Sequence, residues 1–292
     1  MNEKRINVNQ IEIQIQEIGQ DGDPIIFLHF GGANLMMWQR IIPLFQAEYH
    51  LILVDLRGHG QSSKPATGYH IDTMASDVAG VMDQLDLPQA HVVGSSLGAE
   101  VGLSLAANYP EKVASLVCDG ALESEYGPYS TWEGTEAEFE THVAQQLDTM
   151  REMPEQVFPS ADAYVASRQE VIGQYVEWNG YFEAVERYNA IQTPDGTYTK
   201  AFGKQALLSY MENYFNYRFE DYYKRVTCPL LMLPDADVLE NEKETAVMES
   251  LRDLAPQAEI VTVSNWMHPY GWLLDPEGAC QAILKFLHTI NQ

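Results

Sequence analysis

Basic residues are scarce in this sequence. Only 17 lysines and arginines stand against 42 aspartates and glutamates, which gives a formal net charge of −25 over 292 residues. Such a charge repels phosphate backbones and anionic bilayers, so we expect neither nucleic acid nor a membrane surface as a partner. It favours a neutral or cationic small-molecule ligand.

Cysteines are few, and long apolar runs are missing. Cys118, Cys228 and Cys280 are scattered without metal-ligand spacing, which suits a reducing compartment. No apolar run is long enough to span a bilayer, so we expect no membrane insertion. The charged residues 1–5 are followed by alternation at 11–15, which predicts a strand and not a signal-peptide core. We therefore expect a cytoplasmic protein.

Strand-like and helix-like patterns alternate over the first 120 residues. Strands are predicted at residues 11–17, 24–29, 51–54, 91–94 and 113–118, and helices at 36–46, 71–85 and 97–108. Parallel strands need long crossovers, so this spacing predicts βαβ units and a mostly parallel sheet. The first two strands are joined through Asp21 and Gly22 with no helix between them. They predict an antiparallel pair near the sheet edge.

The pattern changes at about residue 121. Acidic and aromatic helical patterns without strand-like runs continue to residue 224, after which a strand (229–233), a helix (242–254), a strand (259–263) and a last helix (276–290) follow. We interpret residues 1–120 and 225–292 as an α/β core and residues 121–224 as a helical cap. Its aromatic residues are expected to line an apolar pocket. The predicted substrate-binding residues are Trp132, Trp178 and Tyr181, with Trp266 from the core.

A G-x-S-x-G segment carries the chemistry. Gly94-Ser95-Ser96-Leu97-Gly98 follows a β-branched strand and opens a helix rich in small residues, the context of a nucleophile elbow. The flanking glycines let strand and helix approach closely, which raises the serine hydroxyl at a helix N-terminus. The alternative is a tight loop whose serine has no catalytic role. The context favours Ser96 as a nucleophile.

A serine hydroxyl needs a base, usually a histidine oriented by a carboxylate. In the fold that carries this kind of elbow, the serine comes first along the chain, then the acid, then the histidine. Among the histidines, only His268 follows a late strand in a turn-rich loop. Asp237, after the strand at 229–233, is the preferred acid. Asp235 is the second choice, and Asp119, after the preceding strand, is the third.

Two backbone N–H groups are needed to stabilise an oxyanion. Leu97 should supply one, because it directly follows the nucleophile. The other should come from the loop at 29–32, where Gly31 is preferred to Phe30. No spacing of Cys, His and carboxylates suggests a metal, and no G-x-G-x-x-G opens a helix. We expect no cofactor.

Taken together, these segments resemble the α/β-hydrolase superfamily, in its capped branch of serine esterases, lipases and C–C hydrolases. The matching segments are Phe27-Leu28-His29 with Gly31-Gly32, the run Val54-Asp55-Leu56-Arg57-Gly58-His59-Gly60-Gln61-Ser62, the elbow at Ser96, residues 229–237, and His268 followed by Asp275-Pro276. The resemblance implies an α/β fold with a mostly parallel, eight-stranded sheet flanked by helices. Phe30, Pro234 and Met267 stand where the family usually has glycine.

The sequence thus predicts a hydrolase that cleaves an ester of a small, mainly apolar substrate through an acyl-enzyme. A C–C hydrolase or lactonase with the same triad is the alternative within the enzyme class. A ligand-binding sensor that keeps the pocket is the alternative outside it. Neither the substrate nor the oligomeric state follows from the sequence.

A serine-directed fluorophosphonate should label the protein once, because the elbow exposes a single serine. We expect Ser96→Ala to abolish the label in a gel-based fluorescence assay. Full labelling of the Ser96→Ala protein would contradict the assignment of the nucleophile.

Overall fold

The structure, a computed structural model, describes residues 2–290. An eight-stranded sheet lies at its centre, in the order β1-β2-β4-β3-β5-β6-β9-β10, and β7 and β8 form a separate hairpin. Within the eight-stranded sheet, strand pairs are parallel except for β1 with β2 and β2 with β4. The predicted mostly parallel sheet is confirmed. The strands are β1 (Asn2–Val8), β2 (Ile11–Ile18), β3 (Asp23–Leu28), β4 (Tyr49–Val54), β5 (Ala90–Ser95), β6 (Val113–Asp119), β7 (Ala190–Gln192), β8 (Tyr198–Lys200), β9 (Leu230–Met232) and β10 (Ala258–Ile260).

Helices cover both faces of the sheet. They are α1 (Ile42–Phe45), α2 (Ile71–Gln84), α3 (Leu97–Asn108), α4 (Glu136–Glu152), α5 (Ala161–Ile172), α6 (Gly180–Asn189), α7 (Lys204–Tyr214), α8 (Phe219–Tyr223), α9 (Ala236–Glu240), α10 (Glu242–Arg252), α11 (Gly271–Leu274) and α12 (Glu277–Ile290), with 3₁₀ turns at Leu35–Arg40 and Pro110–Lys112. Successive strand residues alternate between two cores, as the pleat requires. In β3, Ile26 and Leu28 pack with α2 and α3, whereas Ile25 and Phe27 pack with α1 and α12.

One predicted pairing is wrong. The strand at residues 11–17 does not pair with the strand at 24–29. Instead β2 pairs with β1, and with β4 in antiparallel register, so that Ile15 lies opposite Val54. The sequence pattern does not predict β1, because the strand is rich in charged residues and only Ile6 and Val8 are buried apolar residues.

The segment between β6 and β9 carries α4 to α8 and the β7–β8 hairpin. The sequence indicated helices alone here. The two hairpin strands have three residues each, too few for a period-two alternation to be recognised. We refer to residues 121–224 as the cap segment.

The Asp55 carboxylate joins the cap segment to the core. It accepts hydrogen bonds from the backbone amides of Leu35 and Gln61, each at 2.8 Å, and from the Tyr188 hydroxyl of α6 at 3.1 Å. Burial raises its pKa to about 6, although these hydrogen bonds oppose the shift. Asp55, the first residue of the Asp-x-Arg-Gly run, therefore orders the loop after β3 and the first turn after β4.

The close approach of α3 to β3 should not tolerate a side chain at Gly98. A Cβ there would clash with the carbonyl oxygen of Leu28. We expect Gly98→Ala to lower the free energy of unfolding by about 1–3 kcal/mol or more, the usual range for overpacking. Urea unfolding would measure it. Gly180→Ala is the matched control, since no atom lies within 4 Å of its added Cβ; equal midpoints for the two variants would contradict the expectation.

Candidate active site

Ser96 sits in a strained turn between β5 and α3. Its backbone has φ +50° and ψ −118°, a region that non-glycine residues rarely occupy. The Ser96 amide donates to the carbonyl oxygen of Asp119 at 2.6 Å. This is the geometry of a nucleophile elbow, and it places the serine at the N-terminus of α3.

The His268 ring lies beside the carboxylate of Asp119. His268 Nδ1 is 2.8 Å from Asp119 Oδ1. Asp119 ends β6 and lies opposite Ser95 of β5 in the sheet register, so the acid and Ser96 occupy the same end of two adjacent strands. Gly120 lies between the groups, because a Cβ there would be 2.9 Å from Ser96 Cα and 3.2 Å from His268 Cε1. The fold therefore brings Ser96, His268 and Asp119 together.

Asp119 is fully buried and accepts three further hydrogen bonds. Trp266 Nε1 donates to Oδ1 at 3.0 Å, while Trp272 Nε1 and Ser95 Oγ donate to Oδ2 at 2.6 and 2.7 Å. Burial alone would raise the pKa of the carboxyl. The charge of His268 and the hydrogen bonds more than offset burial, and the pKa lies below its ordinary value. Asp119 is therefore ionised at neutral pH.

Asp237, the acid preferred from the sequence, does not occupy this position. It is exposed in the first turn of α9, where its amide donates to Asp235. Asp235 caps α9 and accepts from the backbone amide of His268 at 2.5 Å, so it holds the histidine loop and not the ring. The chain turns into a helix directly after β9, and this turn directs residue 237 to solvent. The third sequence candidate, Asp119, is the partner of the ring.

The His268 environment favours its charged form. Burial alone would lower its pKa, but Asp119 and, more weakly, the carboxyl groups of Asp235 and Glu100 raise it above the ordinary 6.5. The imidazolium that forms when His268 accepts a proton is thus stabilised by these carboxyl groups.

The loop after β3 lies against the start of α3. A Cβ on Gly31 would be 3.8 Å from Leu97 Cβ, so the two predicted oxyanion donors are neighbours. His29 is fully buried, with Nδ1 2.8 Å from the Phe30 carbonyl oxygen and Nε2 accepting from the Leu56 amide at 3.0 Å. Burial lowers its pKa to about 4, so it is neutral. Since C=O and N–H of one trans peptide point in opposite directions, His29 fixes the direction of the Gly31 N–H.

A cavity of about 250 Å³ opens on Ser96 and His268. Its wall is part apolar and part acidic, and the cap segment supplies one side of it. The lining residues besides these two are Glu100, Gly120, Ala121, Leu122, Glu123, Tyr214, Phe219, Leu233, Asp235 and Val238. The size suits a small molecule.

The four aromatic residues predicted to bind substrate lie elsewhere. Their contacts are structural: Trp132 packs on Phe139 and His142, Trp178 stacks on Phe182, Tyr181 lies under the Arg40 guanidinium, and Trp266 donates to Asp119. Aromatic residues at helical spacing fill gaps between helices, and this use cannot be separated from pocket lining in a sequence. Tyr214 and Phe219 are the aromatic residues on the cavity wall.

Replacing the acid should slow the reaction of Ser96 and shift its pH dependence. We expect Asp119→Asn to reduce the rate of fluorophosphonate labelling by several orders of magnitude, near the ~10⁴ known for this change in a triad. The wild-type rate should rise with pH through a limb above 6.5, because neutral His268 is needed and Asp119 raises its pKa. In the variant this limb moves to lower pH.

Asp237→Asn is the matched control and should leave both the rate and the limb unchanged. Circular dichroism would establish that each variant is folded. A slow Asp237→Asn protein beside a fast Asp119→Asn protein would contradict the assignment.

Comparisons with known proteins identify the family. The family model described as the alpha/beta hydrolase fold matches residues 23–237. The chain is 37% identical over 113 residues to 3-oxoadipate enol-lactonase 2 of Acinetobacter baylyi, a match that covers 38% of this chain and 42% of the lactonase. It is 26% identical over 289 residues to 2-(acetamidomethylene)succinate hydrolase of Mesorhizobium japonicum, which covers 97% and 94% of the two chains.

Solved structures share the whole architecture. The crystal structure of E-2-(acetamidomethylene)succinate hydrolase superposes with a TM-score of 0.74 at 24% identity, covering 98% of this chain and 99% of the other. The thioesterase domain from the curacin biosynthetic pathway gives 0.73 at 18% identity, covering 97% and 99%. At these identities the likeness shows the fold. No helix within residues 2–290 has the length and apolar character that crossing a membrane requires. Because the family model matches most of the chain, the chain belongs to the α/β-hydrolase fold family of enzymes.

Proposed function

We propose that the protein is a serine hydrolase that cleaves an ester, or a related acyl bond, of a small molecule through an acyl-enzyme. One observation carries the proposal: the strained Ser96 shares a cavity with His268, whose ring is paired with the buried carboxylate of Asp119. The same three kinds of group perform acyl transfer in unrelated folds. In this proposal Asp119 replaces Asp237 as the acid.

Each group has one task. His268 takes the proton of the Ser96 hydroxyl as the oxygen attacks the substrate carbonyl, and Asp119 stabilises the imidazolium that forms. The N–H groups of Leu97 and Gly31 stabilise the oxyanion. His268 then gives this proton to the leaving oxygen as the C–O bond breaks and the alcohol departs. Water attacks the acyl-enzyme with His268 again as the base, and His268 returns the proton to Ser96 Oγ as the acid is released. No cofactor takes part in this proposal.

The position of the cap segment favours a small substrate that is shielded from water. Leu122, Glu123, Tyr214 and Phe219 reach the cavity wall from this segment. We propose that residues 121–224 act as a cap over a core of residues 1–120 and 225–292, and that closing over Ser96 excludes water from the acyl-enzyme until the alcohol leaves. We further propose a cytoplasmic location, since the three cysteines are free thiols.

Lactones and C–C bonds are the second candidate class. The relatives named above include an enol-lactonase, and another is named 2-hydroxy-6-oxononadienedioate hydrolase. The same triad could serve both reactions, and a lactone differs from an ester only in keeping its leaving group attached. The wall, however, carries carboxyl groups and no lysine or arginine among the lining residues, which disfavours a substrate such as the succinate named for another relative.

A panel of short-chain and long-chain 4-nitrophenyl esters, lactones and thioesters would test the proposal. Because 4-nitrophenolate leaves readily, acylation of Ser96 by the 4-nitrophenyl esters should be faster than hydrolysis of the acyl-enzyme, and we expect a burst of 4-nitrophenol that equals the enzyme concentration. The expected mass increase is one acyl group, located on the peptide that contains Ser96. Ser96→Ala should show neither the burst nor the adduct, and Ser250→Ala, the same change on the exposed surface of α10, is the matched control.

Absence of a burst, of any adduct and of steady-state hydrolysis, with Ser96 still labelled by a fluorophosphonate, would favour a ligand-binding sensor that keeps the pocket. An adduct on a residue other than Ser96 would contradict the mechanism.

A further inference from the structure

The catalytic cavity contains a carboxyl group that the proposed mechanism does not use. Glu100 belongs to the first turn of α3, and its backbone amide donates to the Ser96 carbonyl oxygen at 3.0 Å. Its side chain lines the same cavity as Ser96 and His268, and only 4% of the residue is exposed. Four residues of helix separate its Cα from that of Ser96 by about 6 Å. A substrate whose carbonyl lies at Ser96 can therefore reach Glu100 within the same cavity.

The hydrogen bonds of Glu100 are incomplete. Both carboxyl oxygens lie 2.9 Å from a single group, the Tyr210 hydroxyl of α7. A hydroxyl has one hydrogen, so it can satisfy only one of these oxygens at a time. Buried carboxylate oxygens ordinarily have donors, and no other described residue donates to this one. When the carboxyl is ionised, the second oxygen is free to accept a donor from a molecule in the cavity.

The charges around the cavity point to the kind of donor. Glu123 and Asp235 also line the wall, and the Tyr214 hydroxyl on the wall donates to Glu125 behind it. None of the lining residues is a lysine or arginine. A carboxylate placed here would be repelled by several like charges, whereas a cation would be attracted by them.

Burial and the neighbouring Glu125 raise the pKa of Glu100 to about 8, although its bond to Tyr210 opposes the shift. An N–H cation in contact with the carboxyl would hold it in the charged form. Such charge-assisted hydrogen bonds are among the stronger ones in proteins.

We propose that Glu100 is a specificity-determining residue that binds an ammonium group of the substrate, a few bonds from the carbonyl that Ser96 attacks. This inference rests on the proposed function. The substrate class is a cationic amino-ester or its lactone counterpart. Glu123 and Asp235 attract the cation at longer range, and Leu122, Phe219, Leu233 and Val238 contact its carbon chain.

Isosteric esters test this inference. In 3-(dimethylammonio)propyl butanoate the alcohol part ends in a cation with one N–H, and in 4-methylpentyl butanoate a C–H replaces it. The anionic ester is 3-carboxypropyl butanoate. Methyl 5-(dimethylammonio)pentanoate and methyl 6-methylheptanoate place the same difference in the acyl part. We expect kcat/KM for the cation to exceed that for its neutral isostere about tenfold or more in one of the two series, as a hydrogen bond to a charged group allows. The anion should be the poorest substrate.

Glu100→Gln should bring the ratio of kcat/KM for the cation to that for its neutral isostere close to one, whatever the change in the rate on the neutral ester. Glu140→Gln, the same change on the exposed surface of α4, is the matched control and should keep the wild-type ratio. Equal kcat/KM for cation and isostere in both series of the wild-type protein would overturn the inference, as would a ratio unchanged by Glu100→Gln.

Calorimetry separates this inference from the proposed function. The Ser96→Ala protein should bind the cationic ester of the preferred series more tightly than its neutral isostere, and Glu100→Gln in that background should abolish the difference. This preference without hydrolysis of any ester by the wild-type protein would retain the inference and reject the esterase. Hydrolysis of the esters without any preference in binding would do the reverse. Should Glu100→Gln fail to fold, equal affinities of the Ser96→Ala protein for the cation and its neutral isostere would still overturn the inference.

Discussion

The ionised carboxylate of Asp119, buried without solvent exposure, is the constraint around which this end of the sheet is arranged. An unpaired charge in such a place would be prohibitively unfavourable, so donors must converge on it. Ser95 comes from β5, Trp266 and His268 come from the loop after β10, and Trp272 comes from α11. Segments far apart in the chain are thereby required to meet.

The two indole rings serve the core and the acid at once. Trp266 and Trp272 pack edge to face with their centroids 4.8 Å apart, and Trp272 packs in the same manner on Trp38 at 4.9 Å. Their carbon frames belong to the core on the α12 face, while their N–H groups reach the carboxylate. Gly271 allows this arrangement, because a side chain there would collide with the Trp266 ring. A rigid aromatic core therefore also fixes the geometry of the candidate triad.

The sequence was sufficient for the features that depend on local pattern. Strand–helix alternation predicted the parallel sheet, and the glycines around Ser96 and the turn-rich loop around His268 located two site residues that share a cavity. The choice among Asp119, Asp235 and Asp237 could not be made, since all three follow a strand that ends at the same edge. Which carboxylate meets the ring depends on how each loop leaves its strand, and this is a tertiary property. The Gly120 left-handed turn and the strand pairing of Asp119 with Ser95 decide it.

The placement of Asp119 has a consequence for how such a protein can diversify. In the proposed mechanism the nucleophile Ser96 directly follows β5, the acid Asp119 ends the neighbouring strand β6, and the cap segment follows the acid directly. Neither the cap segment nor the α9 loop supplies a group of this proposed triad, yet both contribute to the cavity wall through residues such as Phe219 and Val238. Mutation or exchange of these segments can thus change the ligand while the hydrogen-bonded network of Asp119 is inherited intact. In the proposed mechanism, most of the cavity wall can therefore change without altering the groups that react; Glu100, one helical turn beyond Ser96 in α3, is the exception.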